Sequence, residues 1–150
     1  MDRMPSETKS GAGSADALRK AEIIRRLIEV GDTARAIVAT TLRDSGAPGS
    51  ASDLLWALAT SETPMTLREI AARLGRDPST VTLTADKLET LDLVTRRPHP
   101  TDGRKRTLVL TDRGLGLWNT LRDRLHASDL FTELSADQQR TLLELLRHLG

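Results

Sequence analysis

The stretch from Thr66 to Thr111 constrains the fold most, because its helix and turn signals arrive in an order that leaves little freedom. Thr66-Leu67-Arg68-Glu69 has the T-x-x-E form of a capping box, in which a threonine hydroxyl and a glutamate carboxylate satisfy two free backbone N–H groups. Leu67, Ile70, Ala71 and Leu74 then recur at helical spacing and stop at Gly75, the residue type that enters left-handed backbone at least cost. After Arg76 alone comes Asp77-Pro78, an N-cap followed by a proline pre-set for the first helical position. A second helix is expected from there to about Leu91. Two short helices across a tight glycine-containing turn form a helix-turn-helix. Leu93-Val94-Thr95-Arg96-Arg97, a basic loop from Pro98 to Arg106, and Thr107-Leu108-Val109-Leu110 then read as a hairpin, or wing. A helix-turn-helix with a basic-tipped wing points to duplex DNA.

Charge is distributed to match. The whole chain carries a net charge of only +1, so it is no generic polyanion binder. Between Val94 and Arg106, however, five Arg/Lys face the single acid Asp102, a local charge of +4. A basic patch on a near-neutral chain suits a protein that must release DNA as well as hold it. A basic loop alone would be a solvated hairpin tip; its place directly behind a helix-turn-helix gives it a binding role.

The rest of the chain frames this segment. Residues 1–15 are small and polar and are expected to form a disordered tail. Residues 16–150 make one domain, long enough for an ordinary core, with the DNA-binding lobe at 50–111 and helices at 16–45 and 112–150. From Asp16 to about Arg43 one long helix carries Ile24, Leu27, Ile28, Ala34, Ile37, Val38 and Leu42 at helical spacing, with Gly31 inside it as a site of close helix contact. After the break at Gly46-Ala47-Pro48-Gly49, a short helix holds Leu54, Leu55, Trp56 and Leu58 and ends near Ser61. Thr111 caps a helix bearing Gly114, Trp118, Leu121 and Leu125. Ser135-Ala136-Asp137-Gln138 is a second capping box, opening a helix with Leu142, Leu143, Leu145, Leu146 and Leu149. That leucine surplus exceeds what one packed stripe needs, and pairing with a second copy of the chain disposes of it more economically than an intrachain bundle. The expected fold class is therefore mainly α with a small β wing: a winged helix-turn-helix with long terminal dimerisation helices.

On a helix from Pro78 to Leu91, Val81, Ala85 and Leu88 face the core, while Ser79, Thr82, Leu83, Asp86 and Thr90 face outward with Thr80 and Lys87 on a flank. Ser79, Thr80 and Thr82 offer short hydroxyls for phosphates or base edges, and an outward Leu83 suits thymine methyl groups. The outward face has no arginine, which moves bidentate guanine reading off the helix centre and leaves Arg76 and Lys87 as the nearest cations. In the wing, Gly103 permits the turn, Arg104 projects towards the minor groove, and Asp102 pairs with a nearby arginine to hold the loop. Arg68, Arg96 and Lys105 complete the candidate DNA-contact set.

Taken together, these residues resemble the MarR family of bacterial transcription regulators. The likeness rests on Thr66 to Gly75, Ser79-Thr80-Val81-Thr82, Asp86-Lys87-Leu88-Glu89, and the wing from Val94-Thr95-Arg96-Arg97 through Asp102-Gly103-Arg104 to Leu110-Thr111-Asp112-Arg113-Gly114. It is close from about Ser50 to Leu125 and holds by pattern alone at the termini. The resemblance implies a homodimer knit by terminal helices and bound to a pseudo-palindromic operator near its own promoter, usually as a repressor. It implies also a small-molecule crevice between the dimerisation helices and the DNA-binding lobe, for which Trp56 and Trp118 are the candidate lining residues. Arg104 and Asp102 match the arginine and aspartate of the family's D-x-R wing. Leu83 departs from the polar or basic residue common there. Asp92 replaces the glycine that usually closes the recognition helix, which aspartate tolerates because it enters left-handed backbone more readily than most residues.

Other function classes have less support. The chain has no cysteine, which excludes disulfides, thiolate metal sites and thiol redox sensing through its own residues. It shows no phosphate-binding glycine loop and no recognisable Ser/His/Asp grouping, so no enzyme activity and no cofactor are expected. His99, His126 and His148 lack metal-ligand spacing. No apolar run approaches the roughly 20 residues that span a bilayer, and the first residues lack a secretory core, so a cytoplasmic location and no membrane partner are expected. The competing reading is a winged helix used as a protein-interaction module, its wing binding an acidic partner.

Overall fold

A computed structural model describes residues 10–149. The first helix, α1 (Ser10–Asp44), begins ahead of Asp16, so residues 10–15 are helical and do not belong to the expected tail. The remainder of that tail lies outside the described residues. Two compact units divide the chain, residues 1–35 and 36–150.

In the first unit α1 carries a ladder of exposed ion pairs at three- and four-residue spacing. Asp16 pairs with Arg19 and Lys20 at 2.7 Å, Glu22 with Arg25 at 2.6 Å and Arg26 at 3.0 Å, and Asp32 with Arg35 at 2.5 Å. The hydrogen bond from Arg25 is the chief reason that the Glu22 carboxyl is lowered to about 2. Between these charges Leu18, Ile24 and Ile28 stay exposed. A Cβ added at Gly31 would meet only the Arg35 side chain of the same helix, at 3.6 Å, so the expected close helix contact is not made within this unit.

The second unit opens with the end of α1, where Thr41 and Leu42 are buried and Thr41 donates its hydroxyl to the Ile37 carbonyl at 2.8 Å. It continues with α2 (Ala51–Ala59), β1 (Met65–Thr66), α3 (Leu67–Leu74), α4 (Pro78–Thr90), β2 (Val94–Pro98), β3 (Arg106–Leu110), α5 (Asp112–His126) and α6 (Ala136–Arg147). The strands form an antiparallel sheet in the order β1-β3-β2, with Arg96 opposite Leu108 and Met65 also opposite Leu108. β1 was not expected: two residues are too short for any alternation, and they pair with β3 residues more than forty positions further along the chain.

Apolar stripes of four helices meet the inner face of the sheet. Leu42, Leu54, Leu55, Ile70, Leu88, Leu93, Val94 and Leu108 are all almost completely removed from solvent. Leu117 and Leu121 of α5 close this core, and Trp118 packs against its edge. Asp92 ends the recognition segment with φ 55°, the left-handed conformation expected of it. Thr111 then donates its hydroxyl to the Asp92 carbonyl at 2.6 Å and its backbone N–H to the Leu93 carbonyl at 3.1 Å, and caps α5 by accepting from the Gly114 N–H. α6 is capped as expected, Ser135 and Gln138 exchanging hydrogen bonds, yet it buries none of its residues.

Candidate nucleic-acid interface

The helix-turn-helix is assembled from local chemistry. Glu69 accepts from the Thr66 N–H at 2.7 Å and from its hydroxyl at 2.8 Å, while the Glu69 N–H donates to that hydroxyl oxygen at 3.3 Å. The Thr66 backbone bond, followed by its hydroxyl bond, holds the Glu69 carboxyl below its usual range. Gly75 ends α3 at φ 59°, ψ 33°. The Asp77 side chain then accepts from the N–H groups of Ser79 at 2.8 Å and Thr80 at 3.3 Å, starting α4. Its carboxyl is likewise depressed, first by the Ser79 side chain and then by these backbone bonds.

α4 buries Val81, Ala85 and Leu88 as the periodicity requires, and Thr84 besides. Thr84 is tolerated there because its hydroxyl donates to the Thr80 carbonyl at 3.0 Å and lies 3.3 Å from the Ser50 hydroxyl. Ser79, Thr80, Leu83, Asp86 and Lys87 are exposed, Leu83 by 58 %. Thr82 is only half exposed, and its hydroxyl donates to the Pro78 carbonyl at 2.8 Å. That bond uses its one proton, so Thr82 presents an acceptor, not the donor to phosphate that the sequence suggested.

Three cations of the candidate set are engaged within the protein. Arg76 reaches back to Asp53 of α2 at 2.8 Å and ties the turn to the lobe. Arg96 on β2 forks between Asp86, at 2.5 Å, and Glu89, both on α4, while its backbone N–H donates to Glu89 at 3.2 Å. The Asp86 bond is the largest reason that its guanidinium holds its proton even more firmly than usual. Arg96 thus locks the wing to α4. Lys105 lies 3.9 Å from Asp102.

Asp102 shapes the wing differently from expectation. Its carboxylate accepts from the Arg104 backbone N–H at 3.2 Å and faces the Lys105 ammonium, with no arginine side chain among its partners in the described residues. The loop is closed by Lys105 N–H donating to the Asp102 carbonyl, and His99 N–H to the Lys105 carbonyl, both at 2.9 Å. Arg104 is left exposed at the tip. Among the described residues neither Arg104, Arg68 nor Lys87 has an ion-pair partner. Arg106 belongs with them and was passed over, since a residue at a strand end gives no periodic signal of the side it serves. Trp56 and Trp118 stack edge to face, 5.1 Å between centroids and 87° between planes, with Trp56 54 % exposed. Among the described residues no group of His, Asp or Glu is arranged to hold a metal ion.

Residues 45–105, which span this helix-turn-helix and most of the wing, match the MarR family. Over this segment the chain is similar to the MarR family. Solved structures of transcriptional regulators superpose over most of its length. The transcriptional regulator Tm0710 from Thermotoga maritima is 27% identical, with a TM-score of 0.63 over 86% of this chain and 92% of that one. CouR from Rhodococcus jostii RHA1, bound to p-coumaroyl-CoA, is 26% identical, with a TM-score of 0.64 over 84% of this chain and 87% of that one. The transcriptional repressor CouR bound to a 23-mer DNA duplex gives a TM-score of 0.67 at 24% identity, over 95% of this chain and 98% of that one. A sequence comparison with curated proteins gives no match. Among the described residues, no helix is long and apolar enough to cross a membrane.

Proposed function

We propose that this protein is a MarR-family, sequence-specific, double-stranded-DNA-binding transcriptional regulator, a dimeric repressor released by a small-molecule ligand and acting in the cytoplasm. The observation that carries the reading is the outward face of α4 (Ser79, Thr80, Leu83 and Lys87), locked through Arg96 to a wing whose Arg104 is free at the tip. In this reading α4 enters the major groove and Arg104 the minor groove. Arg68, Arg104, Lys87 and Lys105 supply positive charge, Ser79 and Thr80 supply donors, Thr82 supplies an acceptor, and Asp102 holds the wing loop.

Dimerisation is supported by α6 and the residues just after it, where Leu142, Leu143, Leu145, Leu146 and Leu149 are each 38% or more exposed. Such a row of leucines is stable in water only when covered. The CouR structures, one with a DNA duplex and one with p-coumaroyl-CoA, support the duplex partner and an effector. Trp56, exposed beside Trp118, is the aromatic surface this chain offers an effector. Footprinting the DNA upstream of its own gene tests the reading. Protection of two half-sites about 10 bp apart is expected, since two-fold-related recognition helices sit roughly 34 Å apart on one face of the duplex. Protection of a single asymmetric half-site, or none, would refute it.

A further inference from the structure

A cleft of about 470 Å³ opens between the start of α3 and the wing, lined among others by Arg68, Glu69, Arg96, Lys105, Arg106 and Leu108. Its charges are not equally available. The Glu69 carboxylate is occupied by the Thr66 N–H and hydroxyl. Arg96 is compensated by Asp86 and Glu89, and Lys105 is shared with Asp102. Arg68 and Arg106 have no ion-pair partner among the described residues, and both are exposed. Two uncompensated guanidinium groups therefore face one cleft whose remaining wall is partly apolar, from Leu67 and Leu108. Guanidinium forks match the paired oxygens of a phosphate better than any other side chain does.

The position of the cleft selects the phosphate. Arg96 forms one wall of it while gripping Asp86 and Glu89 of α4, so the cleft, between the start of α3 and the wing, adjoins the join between recognition helix and wing. With α4 in the major groove and the wing in the adjacent minor groove, one DNA strand separates the two and has to pass through that join. We propose that this cleft seats a phosphodiester group of the strand dividing the grooves, with Arg68 and Arg106 as its ligands and Arg96 as a positioning residue that does not touch DNA. The proposal rests on the DNA-binding reading and assigns within it which cations meet the backbone.

The test is equilibrium binding of the full chain to a mixed-sequence duplex over a series of salt concentrations. Each phosphate charge neutralised contributes about 0.9 to the slope of log K against log salt. Arg68→Gln and Arg106→Gln, checked for a parental melting temperature, should each lower that slope by about 0.9 per protomer engaged, and the double variant by about twice as much. Arg96→Lys keeps the charge and loses the fork; it should weaken binding at the parental slope. If the glutamine variants bind with the parental slope while the parent binds duplex, the cleft is not a phosphodiester seat and the DNA-binding reading stands. The same holds if they lose binding of inorganic pyrophosphate but keep that slope, which would make the occupant a free anion. A parent with no salt-dependent duplex binding would remove both readings.

Discussion

Gly114 gives the fold its sharpest test. A Cβ built on it would lie 1.9 Å from the Leu93 carbonyl oxygen and 2.9 Å from the carbonyl carbon, so backbone has to move. The carbonyl that must yield is the acceptor for the Thr111 N–H, the bond that sets the start of α5. Overpacking of this kind costs about 1–3 kcal/mol, and a rigid backbone obstacle puts it near the upper end. Loss of the Thr111 bond adds about 1 kcal/mol, and the better helix propensity of alanine returns about 1 kcal/mol. Gly114→Ala should therefore destabilise by roughly 3 kcal/mol, or about 6–12 °C in melting temperature for a chain of this size. Gly116 lies on the same helix and is exposed, with nothing within 4 Å of an added Cβ. Gly116→Ala should raise the melting temperature slightly, by the propensity gain of about 0.5–1 kcal/mol. Thermal denaturation followed by circular dichroism, at one fixed protein concentration, compares the two. If Gly114→Ala melts at or above the parent, the packing of α5 on the Leu93 turn is wrongly described.

Arg104→Ala should weaken operator binding by roughly 1–3 kcal/mol, the range of a good specific contact, and the loss should shrink when A·T pairs flanking the half-sites are replaced by G·C. Asp102→Ala should lose less, in the same direction, because it acts through the loop; gel shifts on both duplexes check this, and a parental affinity for Arg104→Ala refutes the role of the wing. Deleting residues 135–150 should give monomer or aggregate without operator binding, and a DNA-binding dimer in sedimentation would displace the interface from α6.

What could be read from the sequence was local. The Thr66–Glu69 box, the Gly75 stop, the Asp77 cap and the Asp92 exit each depend on groups within three or four residues, and each appears as its chemistry dictates. Features that depend on distant partners could not be read that way. Arg96 looked like one more cation of a basic hairpin; its role is set by Asp86 and Glu89, ten and seven positions away on another element. Thr84 carries no side-chain signal for burial, yet Ser50 and its own helix satisfy it in the core. β1 exists only because β3 returns beside it. Asp102 was rightly placed as the loop's organiser and wrongly partnered, since backbone N–H groups leave no trace in side-chain identity.

The exposed last helix links folding to abundance. α6 is twelve residues long and buries nothing, and isolated helices shorter than about 12–15 residues are marginal in water. Its Ser135 cap can start the helix but cannot carry it alone. In the proposed dimer the partner's cover over these leucines supplies the free energy that keeps the helix ordered, so ordering and association become one equilibrium. Amide exchange along residues 136–147 would then slow as protein concentration rises, making this segment a built-in gauge of how much of the protein is present.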